Sequence, residues 1–195
     1  MKLTSGVIVV SGTPGVGKTV VAKELARKLN AIYLNLSNVV VEKKLYSEYD
    51  EIRETYIVDE VKLKDYVRNI VKETNQLVVI DSHYGEIVDD DLIIKIFIIR
   101  LDPRKLLKRL ENRSWPLLKI KENVEAELLG ICTANALAEH PVDKVCEIDV
   151  TDKVVDVVLK EILDILSGRV ECKVYINWLL DNSVVSEVLG FLTSK

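Results

Sequence analysis

The sequence predicts a doubly wound α/β fold with a parallel sheet, and three observations carry that prediction. Val7-Ile8-Val9-Val10 reads as a buried strand and runs into Gly12-Thr13-Pro14-Gly15-Val16-Gly17-Lys18-Thr19, which fits G-x-x-x-x-G-K-[ST] at every position. Val21, Ala22, Leu25, Ala26 and Leu29 then recur at helical spacing. Beyond them, short apolar runs alternate with amphipathic stretches as far as Leu166, the pattern of strands alternating with crossover helices.

A strand that stops at a glycine-rich wrap and restarts as a helix aims the loop amides and the first-turn N–H groups at one spot. The helix dipole is positive there too, so a polyphosphate is the natural occupant. Gly15 and Gly17 allow the close approach, Lys18 reaches the β and γ phosphates, and the Thr19 hydroxyl faces Mg²⁺. These features define a P-loop NTPase.

After a first helix at about Gly17–Leu29, Ala31–Asn35 reads as a second strand. Ser37 or Asn38 caps a helix running to about Tyr46. The polar, tyrosine-rich segment Tyr46–Tyr56 is expected to be exposed, and Asp59 caps a helix through about Thr74, so a two-helix insertion is expected between strands. Leu77-Val78-Val79-Ile80-Asp81 is a strand ending in a carboxylate, the Walker B pattern that holds Mg²⁺ beside the phosphate loop; the alternative is that Asp81 caps the next turn. His83 follows closely enough to orient or deprotonate water, or is structural.

Ile94–Leu101 is the fourth strand, and Asp102-Pro103 opens a helix with Leu106, Leu107 and Leu110 facing the core. Arg109 and Arg113 share its other face, Ser114-Trp115-Pro116 breaks it, and Lys119 and Lys121 follow. These cations suit a lid that closes over phosphates, or else form a solvated basic face. A helix at about Lys121–Glu139, a fifth strand Val145–Val150 and a helix Asp152–Leu166 complete the alternation. Beyond Gly168 the apolar residues have helical spacing, expected as short helices packed on the domain or as a partner surface.

A formal net charge of −4 argues against a general polyanion-binding surface. No apolar run approaches the ~20 residues of a membrane span and no leader pattern is evident, so a soluble, cytoplasmic protein without membrane contact is expected. Cys132, Cys146 and Cys172 lack CxxC spacing and are expected as separate thiols in a reducing compartment. A chain rich in Lys, Glu, Ile and Val, with Gln76 its lone glutamine, hints at a thermophile.

Several segments, taken in order, resemble one family: the phosphate loop, Tyr33-Leu34-Asn35, Leu45-Tyr46 through Tyr49-Asp50-Glu51, Asp59-Glu60, Asp81-Ser82-His83, and Arg109-Leu110-Glu111-Asn112-Arg113. They resemble the adenylate kinase isoenzyme 6 family, nucleoside monophosphate kinase-like ATPases of late small-ribosomal-subunit maturation. The resemblance spans about residues 5–165 and implies a five-stranded parallel core flanked by helices. It implies a kinase domain over 1–168, with a monophosphate-binding insertion at about 35–58 and a short lid at about 112–122; residues 169–195 are then a helical C-terminal appendage.

The activities it implies are phosphoryl transfer from ATP to AMP or a related nucleoside monophosphate, ATPase activity, and a part in 16S rRNA maturation. ATP and Mg²⁺ are the implied cofactors. A small-subunit platform ribosomal protein is the implied partner, with no direct nucleic-acid contact. By position, Gly15, Val16, Gly17, Lys18, Thr19 and Val20 hold ATP phosphates, with Arg113 also on ATP and Lys153 near adenine. Thr19 and Asp81 hold the metal; Lys18, Asp81, His83, Arg109 and Arg113 form the catalytic group; Asn35, Lys43 and Lys44 face the acceptor. The chain departs from the family where Val41 replaces an arginine, Ser37-Asn38 replaces Gly-Asp and Ser114-Trp115 replaces Gly-Tyr. That departure leaves a ribosome-assembly ATPase switch with little kinase activity as the alternative; a small-metabolite kinase of shikimate type shares the P-loop but would not predict the tyrosine-rich insertion, and is the third reading.

Overall fold

The computed structural model describes residues 5–83 and 87–193. The first half of the chain runs β1 (Gly6–Ser11), α1 (Lys18–Leu29), β2 (Ile32–Asn35), α2 (Leu36–Glu42), β3 (Tyr46–Asp50), β4 (Thr55–Val58), α3 (Glu60–Thr74) and β5 (Leu77–Asp81). The second half runs β6 (Ile93–Arg100), α4 (Pro103–Glu111), α5 (Leu117–Leu129), α6 (Ile131–Glu139), β7 (Val145–Asp149), α7 (Val155–Leu166) and α8 (Asn182–Thr193). Five strands form one parallel sheet in the order β2-β5-β1-β6-β7.

The strands read as continuous apolar runs because helices cover both faces of the sheet. Val7, Val9, Val78, Ile80, Ile96 and Ile98 pack into the layer containing α2, α3 and α6. Their alternates Ile8, Val10, Val79, Phe97 and Ile99 pack against α1, α4, α5, α7 and α8.

The insertion between β2 and β5 is helix, hairpin, helix rather than two helices alone. β3 and β4 pair antiparallel, with Tyr46 and Tyr49 rings 4.3 and 5.0 Å from Tyr56, and such cross-strand aromatic pairs favour strand over coil. α2 ends at Glu42, short of Tyr46, because Lys44 takes φ 55 and turns the chain toward the hairpin. Its cap is Asn35, whose side chain accepts from the Asn38 amide at 2.9 Å, in place of the expected Ser37 or Asn38.

The helix expected over 121–139 begins earlier and is divided at Gly130 into α5 and α6. Gly130 has φ 69, and a Cβ there would lie 3.3 Å from the buried Arg100 guanidinium. α7 begins at Val155 rather than Asp152, since Asp152 turns the chain with φ 58.

The expectation of three separate thiols is overturned. Cys146 on β7 is bonded to Cys172, 26 residues on, with Cα atoms 5.0 Å apart; Cys132 stays outside the bridge. The chain after Gly168 doubles back beside β7, where the Glu147 amide donates to the Lys173 carbonyl at 2.8 Å, so the start of the tail is irregular rather than helical. α8 then buries Val184 and Val188 completely against α4 and α5. Among the described residues no helix is long and apolar enough to cross a membrane.

Candidate active site

β1 ends at Ser11 and α1 begins at Lys18, so the loop between them wraps at the C-terminal end of the central strand, where doubly wound sheets bind ligands. Gly15, at φ 103, lets the loop lie directly on α4; a Cβ there would come within 2.7 Å of Leu110 and 2.9 Å of Leu106. Val16 is buried beneath the loop, and Val20 is exposed on the first turn of α1.

The parallel register sets the acid. Asp81 lies opposite Val10 on one side and Asn35 on the other, beside the loop. Tyr33 Oη and Asn35 Nδ2 both donate to Asp81 Oδ2, at 2.9 and 2.6 Å. Burial, above all, pushes the Tyr33 phenol up to about 12, which keeps it a donor. The second oxygen, Oδ1, is buried without a hydrogen-bond partner. A buried carboxylate oxygen left open beside a phosphate loop fits a hard divalent cation, and Thr19 in the first turn of α1 can add a hydroxyl. No group of three or more His, Cys, Asp or Glu side chains is placed to hold a metal among the described residues. Such a cation would complete its shell with water and phosphate, as Mg²⁺ does.

Burial pushes the Lys18 ammonium down, with the Asp81 carboxylate pulling the other way. Burial and the Lys18 charge together push His83 to about 4, so its imidazole is neutral at pH 7. Lys18, Thr19 and His83 line a cleft of about 380 Å³ together with Thr55, Arg113 and Lys119. Trp115 organises its cationic rim: the Arg113 guanidinium stacks 4.8 Å and the Lys119 ammonium 4.7 Å from its ring centroid. Val40, Val41, Tyr56 and Val58 wall a smaller apolar recess of about 130 Å³ that also reaches His83.

Other residues singled out by sequence lie elsewhere. Arg109 points back onto the loop, donating to the carbonyls of Val16 at 3.0 Å and Gly15 at 3.5 Å. Lys43 and Lys44 are exposed just past α2. Lys153 pairs with Glu161 at 2.8 Å on the α7 side. Arg113 lies beyond the end of α4, and the segment expected as a lid is a short coil leading directly into α5.

Residues 8–130 match the family described as an AAA domain. Over 179 residues, 91% of this chain and 90% of the relative, the chain is 42% identical to a protein of Saccharolobus solfataricus named "Putative adenylate kinase". It is 32% identical over 171 residues to one of the same name from Methanocaldococcus jannaschii, covering 88% and 92% of the two chains. The chain belongs to this adenylate kinase family. A solved gluconokinase from Sinorhizobium meliloti shares the fold, with a TM-score of 0.55 at 13% identity over 87% of this chain and 95% of that one.

Within this adenylate kinase fold, three residues have parts that sequence reasoning did not assign to them, Asn35 among them although it was expected to face the acceptor. Tyr33 and Asn35 orient Asp81, a role visible only once β2 and β5 are set side by side. Trp115 reads as a helix breaker in sequence, and its part as a platform for two cations emerges from the coil between α4 and α5.

Proposed function

We propose that the protein transfers the γ-phosphoryl group of ATP to AMP or a related nucleoside monophosphate and also hydrolyses ATP. The observation that carries this reading is the convergence of Lys18 and neutral His83 on one cleft, with the buried Asp81 carboxylate close enough to act on the charge of both and the helix–hairpin insertion as the far wall. Relatives named as adenylate kinases support it.

In this scheme the loop amides and Lys18 bind the β and γ phosphates, while Thr19 and Asp81 would hold Mg²⁺. Held there, the cation would supply neutralisation of the phosphate charge. An acceptor phosphate oxygen attacks the γ phosphorus as the bond to the β,γ-bridging oxygen breaks, and Arg113 compensates the charge that shifts. Catalysis is then positioning and electrostatics rather than covalent chemistry. His83 orients water for the hydrolytic branch. Asn35, Lys43 and Lys44 serve the acceptor side and Lys153 the adenine side.

The test is product analysis with Mg·ATP, with and without AMP, dAMP, CMP, UMP and GMP, using Lys18→Ala as the blank. Diphosphate formed from an added monophosphate supports the kinase, and wild-type turnover by Lys18→Ala would refute the assignment of the loop.

A second reading is an ATPase switch of small-subunit ribosome maturation, bound to a platform ribosomal protein. Two observations favour it: Val41 stands exposed on α2 where the family pattern has arginine, and Arg53 nearby is committed to Asp50 and Glu122. Phosphate release without monophosphate conversion in the same assay would select this reading.

A further inference from the structure

We propose that Glu127 is a positioning residue for the phosphate loop, acting through the hydroxyl of Thr13; the inference rests on the reading that this loop binds ATP. Glu127 lies on α5, far in sequence from the loop, yet it and Thr13 are each 1% exposed. Thr13 Oγ1 donates to Glu127 Oε2 at 2.6 Å. The other oxygen, Oε1, accepts from Arg100 Nε at 2.7 Å, from the Leu101 amide at 3.2 Å and from Trp178 Nε1 at 3.2 Å. Every one of these contacts brings a donor, so Glu127 works purely as an acceptor and fixes the direction of the Thr13 hydroxyl.

The carboxylate is itself held. Arg100 also donates to the Glu127 carbonyl at 2.9 Å and pairs with Glu147, whose Oε1 accepts from Thr133 at 2.7 Å. The Thr13 carbonyl in turn accepts from the Val16 amide at 3.3 Å, closing the inner turn of the loop. The loop is thus clamped on two sides, at Thr13 by Glu127 and at Val16 by Arg109.

Stability alone is a poor reason for such a cluster. Apolar residues of similar volume commonly replace a buried ion network at no cost in stability. What an apolar core cannot supply is a fixed acceptor for one loop hydroxyl, and an anion cradle of backbone amides depends on sub-ångström placement.

The experiment measures Mg·ATP binding by calorimetry, and thermal unfolding without nucleotide, for the wild type, Thr13→Val, Thr13→Ser, Glu127→Gln and the Thr13→Val/Glu127→Gln double variant. Thr13→Val, nearly isosteric, should weaken binding about tenfold and Thr13→Ser by no more than about twofold, as expected for a hydrogen bond to a charged group. The double variant should bind no more weakly than Glu127→Gln alone. A Thr13→Val protein that melts earlier but binds Mg·ATP like the wild type overturns the inference, since a merely structural contact would behave that way. The two Thr13 variants decide the matter even where Glu127→Gln does not fold. A wild type that binds no Mg·ATP would instead overturn the underlying reading of the loop, a separate result.

Discussion

Arg53, in the turn between β3 and β4, clasps Glu122 on α5: its Nε lies 3.1 Å from both carboxylate oxygens and its Nη2 2.7 Å from one. Asp50 shares the same guanidinium at 3.1 Å, and Lys119, one turn before Glu122, donates to the Glu54 carbonyl at 3.2 Å. The tip of the insertion is therefore fastened to α5 beside a hollow of about 310 Å³ that reaches back to Thr13 and His83.

This clasp is exposed, so solvent screening leaves it little share in global stability. Its effect should be local. Arg53→Ala is expected to raise hydrogen exchange across Tyr46–Val58 while the melting temperature moves by no more than about 3 °C. Peptide-resolved exchange measured by mass spectrometry checks both; unchanged exchange in the hairpin would show that the clasp holds nothing.

Arg113→Ala should separate rate from affinity. Its guanidinium lines the cleft on the Trp115 ring, where it can meet charge that develops during transfer. Turnover should fall by about 10²-fold while the KM for ATP changes little, the signature of an interaction made in the transition state. Steady-state kinetics decide it, and an unchanged rate would reduce Arg113 to a rim charge.

His83 should leave a mark on acid stability. Its folded value of about 4 lies below the ordinary 6.5, so between those limits the unfolded chain binds a proton that the fold excludes. Its contribution is complete above the ordinary value and is lost as the pH falls toward 4. Between pH 7 and pH 5 the loss should be about 2 kcal/mol. Urea unfolding at the two pH values, with His83→Gln as control, tests this; the variant should lose that share of the pH dependence.

The Cys146–Cys172 bridge closes a loop of 26 residues, which in a chain-entropy account stabilises by about 3 kcal/mol. Cys172→Ser should lower the melting temperature by roughly 6 to 12 °C. Because the bridge lies at β7, away from the cleft residues, ATP turnover at 25 °C should be unaffected. Calorimetry and the turnover assay on the same samples provide the check.

The parallel sheet was legible because strands buried on both faces leave unbroken apolar runs, and β5 shows that pattern from Leu77 to Ile80, just before its carboxylate. The phosphate loop was legible because its chemistry is local in sequence. What sequence concealed depends on contacts between distant segments. The hairpin is specified by tyrosine rings meeting across strands, the division at Gly130 by an arginine from β6, and the Cys146 pairing by a tail that doubles back. Arg109 and Arg113 look equivalent at a spacing of four, yet the first ends on loop carbonyls and the second on the cleft, because α4 stops between them.

The register of β5 has one further consequence. Leu77, Val79 and Asp81 share the face toward α1, while Val78 and Ile80 take the opposite one. Deleting one residue upstream in that strand would exchange the two sets, sending the carboxylate away from Lys18 and into the apolar layer beneath α2 and α3. The address of the acid is therefore a matter of parity. Insertions and deletions in this lineage should be confined to surface turns such as the one at Arg53, because an odd change of length inside β5 would abolish the site and the core together.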